Sequence, residues 1–163
     1  MAATPSGTET VEHEVRIEAR PETVFAYFTD PARMVQWMGR DAMLDPRPTG
    51  VCRLSMSAGA VISGEFVEVV PFSRVVFTWG WEGDLFRVPP ASTRVEVSLV
   101  PDGDATIVRI VHHELPAVAA AAHAAGWEHY AERLKVAAAG GDPGPDEWIP
   151  PMELWPSQLE GDA

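Results

Sequence analysis

The sequence is poor in cysteine and tyrosine, and it contains no long hydrophobic run. Its single cysteine, Cys52, rules out an internal disulfide framework and fits a reducing compartment. The longest apolar stretch, Val118 to Ala125, is rich in alanine and includes His123, so it is too short and too weakly hydrophobic to span a bilayer. The first ten residues lack the basic and apolar regions of a secretory signal. We therefore expect a cytoplasmic protein without a membrane span.

Basic residues are scarce as well, which bears on the kind of partner. Among 163 residues, 24 are acidic and 12 are basic, which gives a formal net charge of −12. Nucleic-acid binding requires a basic stripe or patch, so we predict no nucleic-acid partner. No basic residue follows Lys135, whereas the chain beyond it carries six acidic residues, namely Asp142, Asp146, Glu147, Glu153, Glu160 and Asp162.

The residues that are present are typical of one globular domain. Hydrophobic residues make up 46% and charged residues 22% of the chain, and 163 residues suffice for one sizeable core. We predict a loose polar leader over residues 1–10, a single domain over residues 11–140, and an acidic tail over residues 141–163 that contains several prolines and two tryptophans.

The beginning of the domain predicts a strand followed by two short helices. Apolar and polar residues alternate over residues 11–19, as in a strand that is buried on one face. Pro21 and Glu22 suit the first turn of a helix. Asp30 and Pro31 suit the N-cap and the first position of a second helix.

Six further strands and one long helix are expected to follow. Turn-forming residues separate apolar segments at short intervals over residues 41–113, and such spacings favour antiparallel hairpins. Residues 116–139 predict one helix that ends at two glycines. Because two helices follow the first strand, we place that strand beside the last one. The predicted fold is α+β, with a curved antiparallel sheet of six to seven strands wrapped around the long C-terminal helix.

Several short motifs occur in an order that is typical of a known superfamily. They are P-x-x-V-F-x-x-F-T-D-P from Pro21, G-E-F-V-E-V-x-P from Gly64, R-x-V-F-T-W from Arg74, S-T-x-x-E from Ser92, and G-W at Gly126. With these motifs, residues 11–140 resemble the SRPBCC superfamily, which has the START-like helix-grip fold. The resemblance is to its AHSA-type branch, the homologues of the activator of the heat-shock-protein-ninety ATPase. It implies a cavity between sheet and C-terminal helix that binds a small hydrophobic molecule.

Apolar candidates for the lining of that cavity lie on the second short helix and on a central strand. Met34, Trp37 and Met38 recur at helical spacing and could close one end of the cavity, although ordinary helix packing is the simpler explanation. Phe77 and Trp79 share one face of their strand, where they either line the cavity or belong to a plain core.

Polar candidates lie on the last strand and on the long helix. His123, Trp127, Tyr130 and Leu134 follow one another at helical spacing and form one stripe, and His112 lies on an apolar strand face. If these faces point inward, the two histidines and the tyrosine could orient a ligand or act as acid and base. A histidine at the helix edge in water and a tyrosine bonded to backbone are the simpler alternative.

The sequence gives little support for a metal, a cofactor or a nucleophile. His112, His113 and Glu114 are rich in ligating atoms, but neighbouring strand residues point to opposite faces. We predict neither metal nor cofactor. Cys52 alternates with apolar residues, and we expect it to be a small buried hydrophobe.

The tail and the overall function leave alternatives open. Residues 141–163 hold five of the fifteen prolines and two tryptophans, which favours packing on the domain's own surface over a cover of the cavity mouth or a homodimer contact. The first functional hypothesis is a binding protein for a small hydrophobic molecule such as a lipid, polyketide or aromatic. The alternatives are a cyclase or dehydratase that uses the cavity histidines and tyrosine, and a chaperone-accessory or protein-interaction module.

Overall fold

The computed structural model describes residues 7–154, and its elements follow the predicted order. Within that range no helix is long and apolar enough to cross a membrane. Short 3-10 helices cover Ser57–Gly59, Glu82–Arg87 and Met152–Leu154. The strands and α-helices are β1 (Thr8–Ile17), α1 (Pro21–Thr29), α2 (Pro31–Met34), β2 (Asp41–Leu44), β3 (Val51–Ser55), β4 (Val61–Val70), β5 (Arg74–Trp79), β6 (Thr93–Asp102), β7 (Ala105–Pro116) and α3 (Ala117–Ala138).

The seven strands form one antiparallel sheet in the order β1-β7-β6-β5-β4-β3-β2. All neighbours except β1 and β7 are consecutive in the chain, so β2 to β7 form a meander. Helices α1 and α2 separate β1 from β2, and β1 pairs instead with β7, where Val15 is opposite Val108. The prediction that the first strand lies beside the last one is confirmed. The fold is the α+β helix-grip fold that the sequence predicts.

Strand boundaries differ from the sequence prediction where prolines or partner strands decide them. β2 ends at Leu44 rather than Arg47, because Pro46 has no N–H to donate and Asp45 already turns the chain. β1 begins at Thr8, since β7 continues far enough for Thr8 to pair with Pro116.

Helix α3 lies across β1 and β7, and α1 fixes its C-terminal end. The Tyr27 hydroxyl donates to the Ala137 carbonyl oxygen at 3.0 Å. The Trp37 indole N–H in turn donates to the Tyr27 carbonyl oxygen at 2.9 Å, which ties the turn after α2 to α1. Farther from these contacts, the 3-10 helix Glu82–Arg87 packs against α3 and leaves space between α3 and the sheet.

Candidate ligand-binding cavity

A cavity of about 400 Å³ lies between α3 and the sheet. This volume falls within the range of roughly 300–1,000 Å³ that is usual for small-molecule sites. One side of the cavity is formed by α3, one by the ends of β4 and β5, one by the loops after α2, β3 and β5, and one by the chain after α3. The residues that line it are Met38, Met56, Ser57, Gly59, Ala60, Ile62, Trp79, Trp81, Glu82, Gly83, Leu85, Phe86, Ala122, His123, Gly126, Trp127, Tyr130, Trp148, Ile149 and Pro150.

The inner end of the cavity is a cluster of aromatic side chains around Trp79. Its ring centroid lies 5.2 Å from that of Trp127 and 5.9 Å from that of Trp81, which is edge-on. Phe86, from the 3-10 helix, lies 5.2 Å from Trp81. These distances are typical of attractive contacts between aromatic rings. The inner end therefore offers an apolar surface made mostly of ring faces and edges.

His112 borders this cluster and is held as a neutral ring by hydrogen bonds to two groups, the Trp127 indole and the Thr93 hydroxyl. The Trp127 indole N–H donates to His112 Nδ1 at 3.0 Å, so the histidine proton resides on Nε2. That nitrogen lies 2.8 Å from Thr93 Oγ1, whose own proton goes to the Trp79 carbonyl oxygen at 2.8 Å. Burial, together with the nearby His123 and His113, holds the pKa of His112 well below its usual value.

Both ring nitrogens of His123 also have hydrogen-bond partners, but this ring is the opposite tautomer. Its Nδ1–H donates to the Ala119 carbonyl oxygen at 2.8 Å, and its Nε2 accepts the Trp81 indole N–H at 3.1 Å. Burial lowers the pKa of His123 to about 4. Each buried histidine thus accepts a hydrogen bond from a tryptophan, donates its one proton, and has no ring nitrogen left over.

The outer end of the cavity is closed by residues 142–154, which we call the C-terminal segment. Asp146 of this segment accepts hydrogen bonds from the Tyr130 hydroxyl at 2.6 Å and from His129 Nε2 at 3.0 Å. Burial opposes ionisation of Asp146, but these bonds and the Trp148 N–H outweigh it and lower the pKa of the carboxyl group. Burial, together with the same carboxylate, raises the pKa of Tyr130, so its phenol stays protonated.

Two further contacts fix the C-terminal segment on α3. The Trp148 ring stacks on His129 with centroids 4.5 Å apart and an interplanar angle of 13°. Arg133 donates to the carbonyl oxygens of Pro143 at 3.2 Å and Gly144 at 2.9 Å. The segment thereby packs on the domain's own surface, and Trp148 with the two residues after it also lines the cavity mouth. The rest of the tail, from residue 155, lies outside the described residues.

Charge and unpaired polar groups are almost absent from the described lining. Its one charged residue is Glu82, whose carboxylate forms an ion pair with Arg53 at 3.0 Å. One buried donor stands out, since the Trp79 indole Nε1 has no hydrogen-bond partner within residues 7–154. The cavity is therefore apolar, without a positive charge in its described lining.

The comparison with protein families now identifies the chain. The family described as "Activator of Hsp90 ATPase homolog 1-like protein" matches residues 18–139, which is most of the sequence. The chain belongs to this AHSA1 family. The predicted relationship to the AHSA-type branch of the SRPBCC superfamily is confirmed.

Solved structures of other proteins share the fold of this AHSA1-like chain. An AHSA1-like protein from Rhizobium etli is 38% identical with a TM-score of 0.68, over 88% of this chain and 90% of that one. DynU16, from the dynemicin biosynthetic locus, is 25% identical with a TM-score of 0.73; the match covers 85% of this chain but only 50% of that longer protein. The Aha1 dimer from Colwellia psychrerythraea, 20% identical over 82% of this chain and 98% of that one, has a TM-score of 0.67 and shows the fold alone. No curated protein matches the chain significantly.

Five of the ten residues predicted for the site of this AHSA1-like protein line the cavity, namely Met38, Trp79, His123, Trp127 and Tyr130. The other five are buried beside it or in the neighbouring core and do not border it: Met34, Trp37, Phe77, His112 and Leu134. Trp37 packs edge-on against Phe28 at 5.2 Å, in the core between the short helices. His112 contributes indirectly, because it holds the Trp127 ring that forms the wall.

Sequence reasoning missed several lining residues of this AHSA1-like protein. Leu85 and Phe86 come from a 3-10 helix for which no element was predicted, although an apolar pair between Gly83 and two prolines was a usable signal. Gly126 was noted only as part of a motif. Met56 and Ile62 lie at strand ends, where periodicity gives no indication of a cavity.

Metal and thiol chemistry find no support in the described part of this AHSA1-like protein. Residues 7–154 contain no group of three or more His, Cys, Asp or Glu side chains placed to hold a metal ion. Cys52 is buried, and burial raises the pKa of its thiol to about 12, so it stays protonated at neutral pH.

Proposed function

We propose that this protein binds a small, uncharged, hydrophobic molecule in the cavity between α3 and the sheet, with an aromatic ring system as the preferred ligand. The observation that carries the proposal is the cavity of about 400 Å³ with its aromatic inner end. A void of this size is much larger than the packing gaps of a close-packed core, so it is room for a ligand.

The absence of positive charge in the lining supports an uncharged ligand. A carboxylate or phosphate group inside the cavity would lose its hydration without meeting a cation, which costs several kcal/mol. Glu82 is the one charged residue of the described lining, and it offers no positive charge to such an anion. A fatty acid or a phosphate ester is therefore disfavoured relative to a neutral molecule.

The state of the histidines supports binding over acid–base catalysis. A general base needs a free nitrogen within hydrogen-bond reach of the proton that it removes. Both nitrogens of His112 and of His123 are occupied by protein groups, and burial lowers the pKa of both rings. The Tyr130 hydroxyl is likewise committed to Asp146. A cyclase or dehydratase that uses these three residues is the weaker alternative.

The formation of a homodimer stays a prediction.

The proposal is tested with two probes that share one ring system and differ in charge. We expect 9-anthracenemethanol to bind and to quench the tryptophan fluorescence of the protein at pH 7. We expect 9-anthracenecarboxylate to bind at least about tenfold more weakly, because its charge is buried without a partner. Absence of binding by the alcohol would contradict the proposed function, and equal binding of the two probes would contradict an uncharged ligand.

A matched pair of helix variants locates the binding. Ala122 is buried and lines the cavity, whereas Ala121, one residue earlier in α3, is exposed. The A122L variant should weaken binding of 9-anthracenemethanol about tenfold or more, because the added side chain enters the cavity. The A121L variant should bind like the wild type. Binding that is unchanged in A122L would place the probe elsewhere on the protein.

A further inference from the structure

Gly126 occupies a position where glycine is intrinsically unfavourable. It lies in the middle of α3, on the side that faces the cavity, one turn from Ala122 and one turn from Tyr130. Relative to alanine, glycine in a helix interior lowers the folding equilibrium constant about fivefold, since its backbone loses more freedom. A glycine here therefore calls for a local reason.

Neither the backbone nor the packing of the empty protein supplies that reason. Gly126 has no positive φ, and a Cβ built on it would meet no atom within 4 Å outside its own stretch of helix. Every other glycine that the structure describes either has a positive φ or would bring a Cβ to within 3.0 Å of another atom. Gly126 is the one described glycine that the fold itself does not require.

We infer that Gly126 is a specificity-determining position, at which the bound ligand lies directly against the backbone of α3. The inference rests on the proposed function and deepens it. Glycine is the residue that permits a close approach of a ligand to backbone. The missing side chain then sets the largest ring system that the cavity accepts, whereas a side chain at this position would occupy part of the space.

The surrounding residues indicate the shape of that ligand. Trp79 and Trp127 present ring faces and edges on the inner side, which favours a flat, fused ring system over a branched chain. We expect an uncharged molecule of about three fused rings.

The test combines the stability of the unliganded protein with the size of the ligand that binds. Urea unfolding of G126A should show a higher midpoint than the wild type, because alanine is the better helix former. Binding of 9-anthracenemethanol should weaken about threefold in G126A and at least tenfold in G126L. The two-ring probe 1-naphthalenemethanol should still bind G126L within about threefold of wild type. Ala124 is exposed on the opposite side of α3, and A124L is the control that should bind both probes like the wild type.

Each result separates the inference from the proposed function. If wild type binds 9-anthracenemethanol and G126L binds it equally well, the cavity binds ligands but Gly126 does not set their size, and the inference is wrong. If unliganded G126A is less stable than wild type, the fold itself needs the glycine, which also overturns the inference. If wild type binds neither probe, the proposed function fails, and the inference fails with it.

Discussion

The two ends of the cavity use the same kinds of residue in different ways. At the inner end, His112 and His123 each accept an indole N–H, from Trp127 and from Trp81 respectively. At the outer end, Tyr130 and His129 both donate to the carboxylate of Asp146, which lies 16 and 17 residues further along. The inner contacts connect the sheet with α3, whereas the outer contacts connect α3 with the segment that follows it.

This difference in hydrogen-bond partners indicates which end of the cavity is fixed and which end can open. The inner histidines are nearly inaccessible to solvent, so breaking their hydrogen bonds exposes the core. The outer partners are partly exposed, and the C-terminal segment contributes no strand to the sheet. Such a segment can separate locally at a small fraction of the total free energy of unfolding. We therefore expect a ligand to pass through the outer end.

The largest effect is expected from removing an inner histidine. The H112L substitution deprives the buried Trp127 N–H of its acceptor, and it should lower the free energy of unfolding by about 2–3 kcal/mol. The matching change at the outer end, Y130F, should cost about 1 kcal/mol, because solvent and His129 can still satisfy Asp146. Urea unfolding of both variants measures the difference. Equal losses would mean that the two ends are not distinct.

As the pH falls, the inner end should lose its contribution to the free energy of unfolding before the outer end does. An unfolded histidine takes up a proton near pH 6.5, whereas His123 in the folded protein does so only near pH 4. The free energy of unfolding therefore keeps its full value above pH 6.5. At lower pH it decreases by about 1.4 kcal/mol per pH unit for each such histidine. The stabilisation from the Asp146 carboxylate, whose pKa is lowered, is lost only below its ordinary pKa of 3.8.

Urea unfolding at pH 7 and pH 5.5 tests this order. The H123Q variant should lose less stability than the wild type between these two pH values, by about 1 kcal/mol. The control is H13Q on the edge strand β1, away from the cavity, which should follow the wild type. If H123Q and the wild type lose the same amount, His123 is not the neutral, buried group that the geometry indicates.

The last effect concerns the rate of binding and is expected from loosening the outer end. The D146A substitution removes the acceptor shared by Tyr130 and His129, so it should cost at least the ~1 kcal/mol of Y130F in global stability, but less than H112L. Stopped-flow mixing should show faster association of 9-anthracenemethanol, since the C-terminal segment opens more often. The buried Cys52 thiol should remain as unreactive as in the wild type, which shows that the core stays closed. An unchanged association rate would mean that the ligand takes another path.

The fold was predictable from the sequence because its signals are local. The alternation in β1, the N-cap at Asp30 and the glycines after α3 each act within a few residues, and the structure contains all three elements. The position of β1 beside β7 followed from the two intervening helices. Only boundaries such as those of β1 and β2 depended on partner strands and prolines.

The cavity was less predictable because its wall is made by contacts between distant segments. Of the stripe on α3, His123, Trp127 and Tyr130 line the cavity. Leu134 belongs to the same stripe but is fully buried beyond the cavity. Trp148 reaches the mouth because it stacks on His129 and because nearby Asp146 is bonded to α3, and no local pattern encodes these contacts.

The indole N–H resonances in a nitrogen-15 correlation spectrum test the central claim most directly. The account predicts that addition of 9-anthracenemethanol shifts the Trp79, Trp81 and Trp127 signals, since these three rings line the inner end of the cavity. The Trp37 signal should stay in place, because its N–H is bonded to the Tyr27 carbonyl oxygen away from the cavity. Saturable shifts at the three cavity tryptophans would establish binding at the proposed site. Spectra that do not change, or shifts confined to residues outside the cavity, would contradict the account.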